Sequence, residues 1–364
     1  MKVIIIGAGV AGLAVAWRMA KAGAQVLVLD RAQPGRGATY ASAGMIAASA
    51  EAAVTGSPEV QFSLRSRDLW PDFARELEAA SGIELAFRQD GALIVLTGSE
   101  EAQHLMRGAK SGETVFLDPE QARKRAPMLA PDIAGALWAP REAQVDNRAL
   151  GQALTNAAIR AGAKLSANEA AVRVEQSDGG ELVVLTAFRI HRAEAVVLAA
   201  GAWSGEIGGL AANLPIRPVK GEMLALSAPA GEVLPVPLLW GNGIYLVPRR
   251  DRVFVGATVE EAGFDTMPSA RARSWLLERA TALVPSLGSW TIREHWAGLR
   301  PVSSDGLPII GESHTPGFFI ASGQYRNGIL FAPALAEAMA QMILKQGAGE
   351  EMAAFSPARF GRTP

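Results

Sequence analysis

Apolar and polar positions follow two rhythms along this chain, and the change between them divides it. Val3 to Ile6 is a continuous β-branched run, and Gln25 to Leu29 a second, the pattern of strands covered on both faces. Between them, Val10 to about Ala22 carries apolar residues at a helical period. Phe62, Leu69, Phe73 and Leu77 predict a helix from Pro58 to Ala80, and Phe87 to Thr97 reads as a strand around Asp90-Gly91. Glu120 to Arg125 is a short helix opened by Pro119, followed by a strand at Ala134 to Ala139. Asp146 caps a helix that runs to about Ala161 and stops at Gly162. Further strands are expected at Ala171 to Glu175, Leu182 to Thr186 and Ala195 to Ala200.

From Pro215 the texture changes. Strand patterns at Glu222 to Ser227, Gly243 to Pro248 and Val253 to Thr258 follow one another with few helices, as in an antiparallel sheet, beside an amphipathic helix at Ser269 to Leu283. The first rhythm then returns. Gly317 to Gly323 is a strand ending on glycine, Gln324 to Ile329 a loop, and Leu330 to Lys345 a helix. A strand–glycine–helix unit so far from the first is useful to the N-terminal domain only if the chain comes back to it. The fold class expected is therefore α/β: a Rossmann-like domain from 1–85, 145–214 and 296–364, with a mainly antiparallel domain from 86–144 and 215–295 inserted twice. Residues 348–364 read as a loose tail.

Composition narrows the chemistry. The net charge is −1, with 35 Lys+Arg against 36 Asp+Glu and no long single-sign run, which argues against a nucleic-acid partner. Without cysteine there is no disulfide, thiolate metal site or catalytic thiol, and His104, His191, His295 and His314 are too scattered for a metal cluster. Lys2 with the apolar stretch behind it imitates a secretory signal. The glycine spacing and the second strand favour a folded unit, and no other run reaches the ~18–20 apolar residues of a membrane span. A cytoplasmic protein is expected.

Gly7-Ala8-Gly9-Val10-Ala11-Gly12 is G-x-G-x-x-G between a strand and a helix. Gly7 suits the tight turn, Gly9 a close approach to a pyrophosphate, and Gly12 close helix–strand packing. The helix N-terminus, with Val10 and Ala11, attracts phosphate. Asp30 lies 18 residues beyond Gly12, where an acid holds a ribose hydroxyl and repels a 2′-phosphate. An adenine dinucleotide is implied, but the motif does not separate NAD from FAD. The small-residue stretch Arg31 to Met45, with Arg36, Thr39 and Ser42, offers donors to a second set of oxygens; by pattern alone it is equally a surface loop.

With these residues in view, the chain resembles the D-amino-acid oxidase family of flavoproteins nearly end to end, its glycine-oxidising members most of all. The resemblance rests on the N-terminal motif, Gly37-Ala38-Thr39 with Ala41 to Met45, Ala200 to Gly205, Tyr245 to Arg249 and Val255 to Thr258. Trp296-Ala297-Gly298-Leu299-Arg300-Pro301 and Arg326-Asn327-Gly328-Ile329-Leu330 are the most specific parts. It implies FAD. By carry-over, Val10 and Ala11 meet the pyrophosphate, Asp30 and Arg31 the adenosine ribose, and Ala171 or Val172 the adenine. Ala38 and Thr39, with Ala43, Gly44 and Met45, would contact phosphate and flavin. Gly201 and Trp203 would line the crevice, and Gln324, Tyr325, Arg326, Asn327, Gly328, Ile329 and Leu330 would embrace the flavin ring. Val259 stands where a methionine is frequent, and Gly243 opens space where a larger side chain is expected.

The same resemblance gives Arg300, Arg326 and Tyr245 as the substrate residues. Arginine suits an amino-acid carboxylate because its planar fork binds both oxygens and fixes direction as well as distance. No side-chain base need touch the α-hydrogen, so the shortage of histidine is compatible with hydride transfer. The expected activity is oxidative deamination of glycine or another small amino acid or amine (sarcosine, small D-amino acids), giving a 2-oxo acid, ammonia and, with oxygen, peroxide. Family analogy adds thiamine biosynthesis and a homo-oligomer. A dehydrogenase that passes electrons to a quinone or partner subunit, or a flavoprotein subunit of an amine dehydrogenase, stays open at this point. So do bland roles: Arg300 in a buried salt bridge, Arg326 tying down its loop, Tyr245 as a strand aromatic.

Overall fold

The computed structural model describes residues 1–49, 57–98, 113–230, 232, 237–347 and 349–361; His104 falls outside them. Lys2–Ile6 sits in a six-stranded sheet, flanked in parallel by Ala195–Leu198 and Gln25–Leu29. Phe318–Ser322 continues it in parallel, Ile309–Glu312 closes that edge antiparallel, and Lys164–Ser166 forms the other. The helices Val10–Lys21, Asn147–Arg160, Pro58–Ser81 and Gly328–Ile343 cover one face. Their core is built from Leu13, Trp17, Phe62, Trp70 and Phe331, all almost fully buried. The other face packs through Ile4, Ile6, Val196 and Leu198 against a small four-stranded sheet that contains Ala171–Gln176 and Leu182–Thr186. This gives three layers, helices, parallel sheet and small sheet, each burying the apolar face of the next.

The second unit is an eight-stranded, mostly antiparallel sheet. Its longest strands, Ile216–Ser227 and Thr291–Ser303, pair in register along most of their length, so that Val219 faces Arg300, Gly221 faces Gly298, and Met223 faces Trp296. The helix Ala270–Leu283 covers one face through Leu276, Ala280 and Leu283. The opposite face carries Met223, Tyr245, Phe254 and Trp296, and Ala43 and Met45 of the first unit pack on it. It looks toward the first unit.

Several elements differ from the sequence expectation. Thr291–Ser303 is one strand of the eight-stranded sheet and crosses the expected 295/296 division without a break. The strand expected over Phe87 to Thr97 is regular only at Ala92–Leu96, with Arg88 making a single bridge to Gln144. The tail is not loose where it is described. Glu350–Phe355 and Pro357–Phe360 are 3-10 turns, Phe355 is fully buried against Phe62, and Arg359 pairs with Asp305 at 2.7 Å. Among the described residues, no helix is long and apolar enough to cross a membrane, and no cluster of His, Asp and Glu could hold a metal ion.

Candidate active site

A cavity of about 850 Å³ runs from the carboxyl ends of the parallel strands to the inner face of the eight-stranded sheet, a size ordinary for a cofactor site. Its outer half is the glycine turn. Gly7 has φ +110°, and a Cβ there would lie 2.2 Å from the Ala199 carbonyl oxygen; one on Gly12 would meet the Gly7 oxygen at 1.9 Å. At Gly9 only Thr39 Oγ1, 3.6 Å away, would be met, so that backbone stays open to the cavity. Asp30 ends its strand in the wall and accepts the Ala8 N–H at 2.6 Å and the Ala32 N–H at 2.7 Å. Burial pushes its carboxyl up from the ordinary aspartate value, against those two bonds. Thr39 Oγ1 receives the Val10 N–H at 2.9 Å, so the loop after the second strand caps the first helix from outside. Arg31 lies 4.3 Å over the Trp203 ring, and Trp203 stacks on Phe264 at 5.5 Å.

The inner half is shaped by glycines of the second sheet. The Arg300 guanidinium lies over Gly221, where a Cβ would fall 2.3 Å from Nη1. Nη1 donates to the carbonyl oxygens of Thr258 at 3.1 Å and Lys220 at 3.3 Å. Among the described residues it forms no ion pair, and the residue lines the cavity. Tyr245 pairs across its strands with Gly256, where a Cβ would fall 2.7 Å from the tyrosine hydroxyl. That hydroxyl contacts Met223 Sδ at 3.8 Å, and the ring meets Trp240 edge-on. Ala43, Gly44 and Met45 form the wall between the halves, strapped to Gln144 and Val145 by strand pairing and by Arg249.

The cavity thus gathers Gly7, Gly9, Val10, Ala11, Asp30, Arg31, Ala38, Thr39, Ala43, Gly44 and Met45 with Ala171, Val172, Gly201 and Trp203. Gln324 to Ile329, Tyr245 and Arg300 complete the expected set on its wall. Gly12 stays behind the turn as a packing residue. Leu330 is also behind the wall, buried, with its carbonyl accepting the Ser66 hydroxyl and the Trp70 indole N–H. Arg326 also lines the cavity; it is exposed and lies 5.2 Å from the Tyr325 ring, whereas Arg300 is half-buried. His295 is a satisfied strand histidine, 2.8 Å from Glu222. Sequence reasoning missed Gly221, Met223, Trp240, Phe264 and Thr266 as lining, and Arg249 as the strap. Arg249 and Gly256 stood inside motifs already recognised, but their neighbours come from remote segments.

The open backbone at Gly9, the oriented Asp30 carboxylate and the length of the cavity fit FAD. Residues 2–342 match the DAO family model of FAD-dependent oxidoreductases. Glycine oxidase from Geobacillus kaustophilus is 36% identical, over 98% of this chain and 96% of its own. The crystal structure of glycine oxidase from that organism superposes with a TM-score of 0.92, at 35% identity over 97% of both chains. The bifunctional protein ThiO/ThiG of Synechocystis sp. is 38% identical over 98% of this chain, which spans about half (54%) of that relative's length. The chain belongs to the DAO family of FAD-dependent oxidoreductases.

Proposed function

We propose that this protein is an FAD-dependent oxidase of glycine or a similarly small amino acid or amine, producing a 2-oxo acid, ammonia and hydrogen peroxide. The observation that carries the reading is the Arg300 guanidinium, which lines the inner cavity and, among the described residues, has two carbonyl oxygens as its hydrogen-bond acceptors and no ion pair. A cation held this way meets a carboxylate from the cavity side, as a charge-assisted fork. The glycine oxidase relatives support glycine as a substrate, and the ThiO/ThiG relatives support a place in thiamine biosynthesis.

The chain's own part in the chemistry is orientation. Arg300 fixes the carboxylate, and Met223, Trp240 and Tyr245 wall the inner part of the cavity around it. The redox chemistry, a two-electron acceptor for the hydride leaving the α-carbon and its return to oxygen, would be supplied by bound FAD. The acids lining the cavity, Asp30 and Glu206, belong to its outer, dinucleotide half, and histidine is missing from the described lining. The amine therefore reaches the site already neutral, or loses its proton to water. Position rather than a base supplies the rate.

Anaerobic addition of glycine, sarcosine, D-alanine and D-proline to the flavin-loaded protein tests this. At least one should bleach the flavin, and air should restore the colour with release of peroxide. Colour that persists with every amine, or a bleached enzyme that oxygen fails to reoxidise, refutes the oxidase reading.

A further inference from the structure

Arg249 follows the strand Ile244–Pro248, and its guanidinium sits directly behind the Ala43–Gly44–Met45 wall. A Cβ on Gly44 would lie 2.7 Å from Arg249 Nη2. Nη2 donates to the Ala43 carbonyl and, at 2.9 Å, to the Val145 carbonyl, while Nη1 donates to Gln144 Oε1 at 2.6 Å. Nε is buried with no hydrogen-bond partner, and one face of the group lies 5.2 Å from the Phe254 ring. Among the described residues the guanidinium makes no ion pair. Asp146, whose Oδ1 also accepts the Arg148 and Ala149 N–H groups, offsets part of the charge without contact, while Arg88 and Arg148 add like charge. Burial lowers its pKa to about 10, which leaves it charged at neutral pH.

The partner at Gln144 is the informative residue. It is almost fully buried, and its own Nε2 has no hydrogen-bond partner. A glutamate at that position would remove the orphaned N–H, keep the bond to Arg249, and neutralise a buried cation. By the ordinary cost of unpaired buried groups, it is the better residue for the fold. An amide here keeps the grip on Arg249 while leaving the charge uncancelled.

We infer that Arg249 is a positioning residue whose charge, in contact with no carboxylate among the described residues and held through Gln144 behind Ala43–Met45, favours negative charge on the FAD ring system as it takes up electrons. The adenosine end of the cavity is marked by Asp30, Ala171 and Val172. The redox ring therefore falls at the other end, where Ala43 and Met45 share an apolar cluster with Tyr245, Met223 and Ala257. Charge near a flavin ring is one of the means by which a protein tunes it. The inference rests on the cofactor half of the proposed function and not on which amine is oxidised.

The test uses flavin-loaded wild type, Gln144→Glu, Arg249→Lys and Arg249→Met, with no amine present. Two quantities are read: the dissociation constant of sulfite, which adds to an electron-poor flavin and bleaches it, and the two-electron potential against a reference dye. Gln144→Glu should weaken sulfite binding about tenfold. An equal change in the reduction equilibrium lowers the potential by about 30 mV. Arg249→Met should lose at least as much, and Arg249→Lys should stay within about threefold of wild type because it keeps the charge. Should Arg249→Met fail to fold, Gln144→Glu and Arg249→Lys decide the matter. A sulfite constant and potential unchanged in Gln144→Glu, or a loss in Arg249→Lys as large as in Gln144→Glu, overturns the inference. Bleaching by amines is a separate reaction, so failure of the proposed function would be seen independently.

Discussion

Gly221→Ala moves a guanidinium without altering any charge. Gly221 lies mid-strand with no positive φ, so its backbone accepts alanine, and the consequence falls on Arg300. The new Cβ would sit 2.3 Å from Nη1, 2.4 Å from Nη2 and 2.5 Å from the central carbon of the guanidinium, where ordinary contact begins at 3.4 Å. The group must retreat by about 1 Å, and its bonds to Lys220 and Thr258, already 3.3 and 3.1 Å long, lengthen or break. A misplacement of ~1 Å in a positioning contact costs about 100-fold in rate, equivalent to about 2.7 kcal/mol. Expected, then, is a fall of about 100-fold in kcat/KM for an amino-acid substrate, with flavin content and visible spectrum as in wild type. A carboxylate-free amine of the same size should lose much less, which separates a displaced anchor from general damage. Unchanged kcat/KM for the amino acid in folded, flavin-loaded Gly221→Ala would refute the carboxylate role of Arg300.

Arg300→Ala should weaken substrate binding by about 2–5 kcal/mol, and Arg300→Lys should recover only part because a point charge does not reproduce the fork; steady-state KM values check both. With no acid or histidine in the described lining of the inner cavity around Arg300, kcat/KM should rise with pH along the substrate amine's own titration and shift when glycine is replaced by sarcosine, whereas a profile fixed across substrates would mean a titrating protein group. Glu169 joins Ser166, Thr186 and His191 beside the Ala170–Val172 wall, and hydrogen bonds, that of His191 first, lower its pKa from 4.5 to about 2. Because the folded value is the depressed one, its stabilisation is complete above about 4.5 and is lost as pH falls towards about 2. Glu169→Gln should lower the melting temperature at pH 7 and flatten its further fall across that window, so parallel melting-temperature curves for the two proteins would contradict the assignment.

The nucleotide half of the site was legible because its information is local. Turn, helix and ribose acid all fall within Gly7 to Asp30, and each glycine there answers to a contact one strand away. The strand–loop–helix at Gly317 to Lys345 was legible for the same reason, although the helix begins two residues early, at Gly328. The second sheet was harder. Arg300 stood out only through resemblance, since nothing in Leu299-Arg300-Pro301 distinguishes an anchor from a salt bridge. The reason Gly221 and Gly256 are glycines becomes visible only when Gly221 is laid beside Gly298, two positions from Arg300, and Gly256 opposite Tyr245. In the tail, alanines, glycines and charges mask Met352 and Phe355, which are buried because the helices Pro58–Ser81 and Gly328–Ile343 leave a gap that only the folded arrangement creates.

Charge shows the same limit from another side. With 35 cations against 36 anions, the composition allows every cation a partner, and some arginines take one, as Arg18 does with Glu76, Arg148 with Glu294 and Arg359 with Asp305, whereas others, such as Arg123 and Arg160, donate to backbone carbonyl oxygens instead. Arg300 and Arg249 are of the second kind, and they differ from the rest in place: each donates to oxygens that carry no full charge, one group lining the inner cavity and the other directly behind its wall. Such a guanidinium costs the fold stability to the extent that it is buried, more for Arg249 than for the half-buried Arg300, because no contacting carboxylate offsets it. The proposed roles account for the cost: negative charge would arrive later, as a substrate carboxylate in front of Arg300 and as electrons on the ring before Arg249. A carboxylate supplied by the chain at either place would stabilise the resting protein and compete with the charge that the reaction brings.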